Sequence, residues 1–114
     1  MAKHRDRPDV ALDDGDFNII LQFADSIVHR GRACEGKYVP AVPSTKRPQI
    51  AIDAENLSNY EIMRAILHEL VEHYNCQGGL RMTHRAITAV SDSLARTLRN
   101  SPRLRRFIGR ACKD

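Results

Sequence analysis

ILHELVEHY, residues 66–74, lies near the middle of the chain and is its most informative segment. His68 and Glu72 are four residues apart, so on an α-helix they lie on one face, about one turn from each other. A histidine and a carboxylate at this spacing can supply two ligands of a tetrahedral zinc site. Glu69 follows the first ligand and can act as a general base for a zinc-bound water. The stretch therefore predicts a helix that carries a metal site.

Length and composition are those of an ordinary globular domain. The chain has 114 residues, of which 42% are hydrophobic and 28% charged, which predicts a single domain over residues 1–114 with one modest core. No apolar run approaches the length of a membrane span, and the first residues lack the apolar core of a signal peptide. The three cysteines have no paired spacing, so we expect no disulfide framework and a reducing cytoplasm.

The net charge of +4 is concentrated near the C-terminus. The basic residues there are Arg96, Arg99, Arg103, Arg105, Arg106, Arg110 and Lys113. A solvated face is the usual fate of such a cluster, so we expect at most weak nucleic-acid binding through it.

The first half of the chain predicts one helix and two strands. Residues 1–13 are charged and without periodicity, which is typical of a flexible N-terminal arm. Apolar residues recur at helical spacing over 15–30, with Asp14 or Asp16 as a cap, and this favours a first helix, although the same residues also alternate as in a strand. Residues 37–39 and, more clearly, residues 49–53 have the β-branched character of short strands.

The central helix has signals at both ends. Ser58 with Glu61 three residues later forms a capping box, and Gly78-Gly79 ends the helix after about Cys76. We expect the sheet to cover its main apolar stripe, and a following helix to cover the side near its small residues. That stripe is formed by Met63, Ile66, Leu67, Leu70, Val71 and Tyr74.

Two further helices follow the central one. Thr83 caps the first of them, and Ser101-Pro102 opens a last short helix, because proline is tolerated at a first helical position. His84 begins the helix after Thr83, at the mouth of the turn that folds it back. From there it can reach the side of the central helix that carries His68 and Glu72.

These motifs together resemble those of small phage-encoded zincin-like proteins, relatives of the minimal metallopeptidases of the ImmA/IrrE type. The resemblance covers roughly residues 49–108 and lies in an Ile-x-Ile-Asp strand, a helix with His-Glu-x-x-Glu, a short turn with a histidine, and a helix that ends before Asn-x-Pro. The matching residues are Ile50, Ile52, Asp53, His68, Glu69, Glu72, His84, Ile87, Leu94, Leu98, Asn100 and Pro102. The common form of the motif has histidine at the position of Glu72.

The resemblance implies an α+β fold, in which a small sheet packs on an active-site helix that is followed by a second long helix. It implies zinc on His68, Glu72 and His84, with Glu69 as the general base for hydrolysis of peptide bonds. It also implies a peptide or protein substrate along an edge strand, for which Ile50, Ala51 and Ile52 would offer main-chain partners. The corresponding location is the cytoplasm of a bacterial or phage-infected cell, with no membrane partner.

Other interpretations stay open from the sequence. His73 could replace Glu72 as a ligand, but residues five apart point about 140° away from each other around a helix, so we expect His73 to face the flank of the apolar stripe. The metal could also only tie two helices together, without catalysis. A third class is a small DNA-binding module, since residues 83–110 loosely resemble helix-turn-helix architecture.

Overall fold

The computed structural model describes residues 7–24, 26–29, 31–41 and 47–113, with only the main chain for His29. Within them the fold is α+β, as predicted. The strands and helices, in chain order, are β1 (Val10–Asp13), β2 (Asn18–Ala24), β3 (Ile27–His29), β4 (Arg32–Cys34), β5 (Gly36–Val39), β6 (Gln49–Asp53), α1 (Asn59–Gly78), α2 (His84–Asn100) and α3 (Pro102–Ala111).

Four of these strands form one sheet in the order β1-β2-β6-β5, and β3 with β4 forms a separate hairpin. The central pair, β2 and β6, is parallel, with Leu21 opposite Ile50. The outer pairs, β1 with β2 and β5 with β6, are antiparallel. Among the described residues, β5 is therefore the edge strand next to β6.

The predicted helix over residues 15–30 is wrong, because β2 and β3 lie there. In β2, Ile19 and Leu21 are buried at 0% and 4% exposure, whereas Asn18, the first residue of the strand, is exposed and Ile20 is only partly buried. This is the two-residue period of a strand, and pairing with β6 selects it over the helical spacing. Residues 25 and 30 lie outside the described residues.

The predicted N-terminal arm is also partly a strand. Residues 10–13 of it form β1, in which Val10 lies opposite Leu21 of β2. The remaining part, residues 1–6, lies outside the described residues.

The predicted role of Ile50, Ala51 and Ile52 in binding an extended substrate is wrong. These residues belong to β6, which pairs with β2 on one side and with β5 on the other. Their main-chain groups are therefore used within the sheet, and the side chains of Ile50 and Ile52 are fully buried. Among the described residues, the strand with an unpaired edge on this side of the sheet is β5.

The predicted boundaries of the three helices after residue 58 are confirmed within a few residues. The Ser58 hydroxyl accepts the Glu61 N–H at 3.2 Å, and the Glu61 carboxylate accepts the Ser58 N–H at 3.0 Å. Gly79 ends α1 at φ 60°, a left-handed conformation that glycine adopts without strain. Thr83 caps α2 by accepting the Ala86 N–H at 3.1 Å. None of the described helices combines the length and apolarity needed to cross a membrane.

Helix α1 is covered on two sides, by the sheet and by α2, but the face on the sheet differs from the predicted stripe. The buried line of α1 consists of Ile62, Ala65, Glu69 and His73. It lies about a third of a turn around the axis from the centre of the predicted stripe. Ile66 and Leu70 of that stripe do pack at the margin of the core. Two polar side chains, Glu69 and His73, therefore lie on the buried face of α1, which was predicted to be apolar.

Candidate metal centre

Three predicted ligands lie together at the junction of α1 and α2. The distance from His68 Nε2 to Glu72 Oε1 is 3.7 Å, and the distance from His84 Nδ1 to the same oxygen is 3.8 Å. All three residues offer ligand atoms within 4.8 Å of one another. Atoms bound about 2.0–2.1 Å from a tetrahedral ion are about 3.3 Å apart, so the two contacts of Glu72 would shorten by about half an ångström, and the widest separation in the cluster, up to 4.8 Å, would shorten by more than about 1 Å. The cluster could hold a metal ion.

The turn between the helices positions His84. The Asn75 amide accepts the Met82 N–H at 2.8 Å and donates to the Met82 carbonyl at 3.3 Å. Together with the left-handed Gly79, this closes the chain within five residues of the end of α1. His84 is then the first residue of α2 and is the most exposed of the three ligands, with 79% of its side chain accessible.

A buried hydroxyl on α2 faces the other nitrogen of His68. Ser91 is fully buried, and its hydroxyl donates to the Ile87 carbonyl at 2.9 Å, which leaves the oxygen free to accept. His68 Nδ1 lies 3.4 Å from it. A hydrogen on Nδ1 then faces Ser91, and Nε2 is left as a ligand toward Glu72. Burial, followed by the nearby His84, lowers the pKa of His68 and so favours the neutral ring that binds metal.

Glu69 lies beside this cluster and has an unusual environment for a carboxylate. Its residue exposure is 7%, and among the described residues it has neither a hydrogen bond nor an ion pair. Burial, with a smaller contribution from the negative charge of Glu72, raises its pKa to about 7. An unpaired buried carboxylate is costly for the fold, and perturbed groups of this kind are concentrated at functional sites.

Gly36 of β5 packs directly against the side chain of Glu69, which takes the room that a side chain at residue 36 would need. A Cβ atom at this position would lie 3.2 Å from Glu69 Cγ and 2.9 Å from Ile52 Cδ1. Any side chain at Gly36 would therefore compete with Glu69 for the same volume. The sequence alone does not point to this glycine, because the signal depends on a strand and a helix that are distant in the sequence.

A groove runs over Glu69 between α1, α2 and β5. It consists of two cavities of about 400 and 390 Å³. Both are lined by Cys34, Gly36, His68, Glu69 and His84. The first extends toward Arg64 at the N-terminal half of α1, and the second extends toward Glu72 and Tyr38. The candidate ligands and the buried carboxylate thus face one space that is large enough for an extended peptide segment or a small molecule.

His73 lies outside the metal cluster and at the flank of the predicted apolar stripe, as expected, and this flank faces the sheet. Its side chain is fully buried. The Asp14 carboxylate lies 3.1 Å from His73 Nε2, and the Tyr38 hydroxyl lies 2.9 Å from Nδ1. The N–H groups of Phe17 and then Asp16 lower the pKa of Asp14, which keeps it an ionised acceptor.

These contacts give His73 a structural role in joining α1 to the sheet. In the neutral ring, Nε2–H donates to Asp14, and Nδ1 accepts the hydroxyl hydrogen of Tyr38. The sequence predicted Asp14 or Asp16 as a helix cap, and nothing in the local pattern of Asp14 pointed to a histidine 59 residues away. Ser91 was also missed, although a small polar residue between Ile87 and Ala95 on the buried face of α2 was a usable signal.

Comparison with known proteins assigns no function, so the functional argument rests on the geometry of the site. No family model matches the chain, and neither curated proteins nor solved structures give a significant match.

Proposed function

We propose that this protein is a zinc-dependent hydrolase of peptide bonds, with the zincin-like arrangement that the sequence resembles. The observation that carries the proposal is the position of Glu69, a buried carboxylate without a partner among the described residues, in the same groove as His68, Glu72 and His84. A site that only tied two helices together would have no need for this fourth, costly acidic group.

The donor set fits zinc better than the hard alkaline-earth ions. Two imidazole nitrogens and one carboxylate oxygen are ordinary zinc ligands, whereas calcium and magnesium are held mainly by oxygens. Three protein ligands leave one position of a tetrahedral ion open, which is the arrangement of catalytic and not of structural zinc sites. Zinc bound here would supply Lewis-acid activation of a water molecule and of a substrate carbonyl.

Glu69 is the proposed general base. In the metal-free protein its pKa is about 7, and a carboxylate beside the metal site can take a proton from water and return that proton to the leaving amine. It follows His68 directly on α1, so its side chain lies about 100° around the helix from that ligand, toward the sheet. Glu69 lines both cavities of the groove, which is consistent with a carboxylate that acts there.

The outer edge of β5, which pairs with no further strand within the described part of the chain, is the proposed docking edge for the substrate. The Asp53 N–H donates to the Glu35 carbonyl at 2.9 Å, so in this antiparallel pair Lys37 and Val39 also point their main-chain groups at β6. Gly36 and Tyr38 then direct theirs away from the sheet, beside Glu69. An extended peptide could pair with these groups, which would give recognition through the main chain.

The direct test is hydrolysis of a quenched fluorescent peptide library by metal-stripped protein before and after addition of one equivalent of zinc. We expect cleavage only after zinc is added. Glu69→Gln should bind zinc like the wild type and lose cleavage, while Glu55→Gln, an exposed control, should retain both. Equal cleavage by wild type and Glu69→Gln would overturn the assignment of the base. Zinc binding without any cleavage would favour the structural alternative.

A further inference from the structure

The two cavities of the groove carry opposite charge, and this difference bears on which peptides the groove accepts. The first cavity is lined by Glu35, Arg64 and Asp92 in addition to the shared residues. The second is lined by Arg32 and Lys37.

In the first cavity, Asp92 is the carboxylate that remains available to pair with a positive charge of a ligand. Glu35 accepts a hydrogen bond from Arg64 at 2.7 Å, so these two charges compensate each other. Asp92 has neither an ion pair nor a hydrogen bond within the described residues, and it is half-buried on α2, two turns after His84. A half-buried carboxylate that lines a cavity without a partner can be neutralised by a cationic side chain of a ligand.

In the second cavity, the available charges are positive. Arg32 and Lys37 have no ion-pair partner within the part of the chain that the structure describes. The acidic residues that line this cavity are Glu69, which is buried, and Glu72, which belongs to the metal cluster. An acidic side chain of a ligand would therefore be stabilised at this end and repelled at the other.

The direction of β5 decides which end of a peptide meets which cavity. Gly36 lies beside Glu69, and two residues later Tyr38 forms a hydrogen bond with His73, one turn further along the helix. Strand β5 therefore runs in the same direction as α1. A peptide that pairs antiparallel with β5 runs the opposite way, from Tyr38 toward Gly36. Its N-terminal part then lies in the second cavity and its C-terminal part near Asp92. Antiparallel pairing is the commoner and slightly more stable mode.

We propose that the groove selects peptides in which an acidic residue precedes, and a basic residue follows, the bond that lies over Glu69. Asp92 is the residue that determines the preference for the basic side chain, and Arg32 with Lys37 determines the preference for the acidic one. The inference rests on the proposed function for the position of the bond, and it adds the class of substrate.

The test compares three peptides of equal length: one with an acidic residue before and a basic residue after the central bond, one with the two exchanged, and one with neutral residues at both positions. Binding is measured by fluorescence anisotropy to zinc-loaded Glu69→Gln protein, and cleavage is measured with the wild type. We expect the first peptide to bind better than the exchanged one, which has identical net charge, by about three-fold for each charge contact. Asp92→Asn should remove about three-fold of that preference, while Glu55→Gln should leave it unchanged.

Each outcome separates this inference from the proposed function. Equal binding of the three peptides, or a preference for the exchanged one, would overturn the inference, even if the wild type cleaves them all. A preference that Asp92→Asn leaves intact would overturn the role of Asp92. Selective binding of the first peptide without cleavage by the wild type would contradict the proposed hydrolase and support the inference about the groove.

Discussion

Gly36 and Glu69 share one volume: a Cβ atom on the strand residue would lie 3.2 Å from the Cγ atom of the helix residue. Strand β5 and helix α1 can approach this closely only because residue 36 has no side chain. The same close approach buries Glu69 and raises its pKa to about 7. Close packing of strand and helix thus fixes the position of the carboxylate and raises its pKa.

Gly36→Ala should destabilise the fold and reduce any hydrolysis. The added methyl group would meet Ile52 at 2.9 Å and Glu69 at 3.2 Å, so one of them must move. Overpacking of this kind costs on the order of 1–3 kcal/mol, which urea unfolding would measure. Gly109→Ala is a suitable control, because the same methyl group meets no atom within 4 Å there. In the last turn of α3 it should stabilise the protein by at most about 1 kcal/mol. A neutral Gly36→Ala would contradict the packing described.

The burial of Glu69 predicts a pH dependence of stability in the metal-free protein. In the unfolded chain this carboxyl loses its proton near pH 4.5, whereas in the folded protein it keeps it to about pH 7. The contribution of Glu69 to the free energy of unfolding is therefore fully present below pH 4.5 and is lost as the pH rises through 7. The loss is on the order of 3 kcal/mol above that window.

Glu69→Gln isolates this effect, because glutamine does not titrate and all other groups stay the same. Urea unfolding of both proteins in a chelator, at pH 4.5 and pH 8, should show the variant gaining stability relative to the wild type at the higher pH. A difference between the two proteins that is independent of pH would mean that Glu69 is not buried as described.

Much of the candidate site could be predicted from the sequence because it depends on local geometry. His68 and Glu72 share a face through helix periodicity alone, and His84 follows from a short turn between two capped helices. The remaining features depend on contacts between distant segments. Gly36 and Asp14 reach α1 from strands or turns more than 30 residues away, and no local pattern encodes such a contact.

The fold was predicted from its second half more accurately than from its first. Strands β5 and β6 and the helix caps carry distinct local signals, whereas β2 is apolar at positions that satisfy both the helical and the strand period. The choice between them depends on parallel pairing with β6, which begins 25 residues after β2 ends. The edge was assigned to the wrong strand for the same reason, since the order of strands in a sheet is a non-local property.

Tyr38→Phe should lower stability without changing zinc binding. The substitution removes the hydroxyl that lies 2.9 Å from His73 Nδ1 and leaves a buried nitrogen without its partner. Such a loss costs about 1–3 kcal/mol, which thermal or urea unfolding would detect. Zinc affinity should stay within experimental error, because His73 lies outside the cluster of His68, Glu72 and His84. A large fall in zinc affinity would imply that His73 supports the metal site directly.

The basic residues near the C-terminus should give at most weak binding to duplex DNA. Helix α3 has no buried residue and carries Arg103, Arg105, Arg106 and Arg110. Contacts made by such arginines with phosphates fall steeply with salt and carry no sequence information. An anisotropy titration at low and at physiological salt, on two unrelated sequences, should find weak and equal binding. Tight, sequence-selective binding at physiological salt would favour the DNA-binding alternative.

The central claim is that His68, Glu72 and His84 hold one zinc ion, and competition with a chromogenic chelator tests it most directly. We expect the wild type to bind one zinc per chain, Glu72→Gln to lose at least about ten-fold in affinity, and Glu55→Gln to bind like the wild type. Glu72→His should restore binding, because it places an imidazole at the same four-residue spacing from His68. A wild type that does not compete with the chelator, or a Glu72→Gln variant that binds zinc as tightly as the wild type, would contradict the metal site.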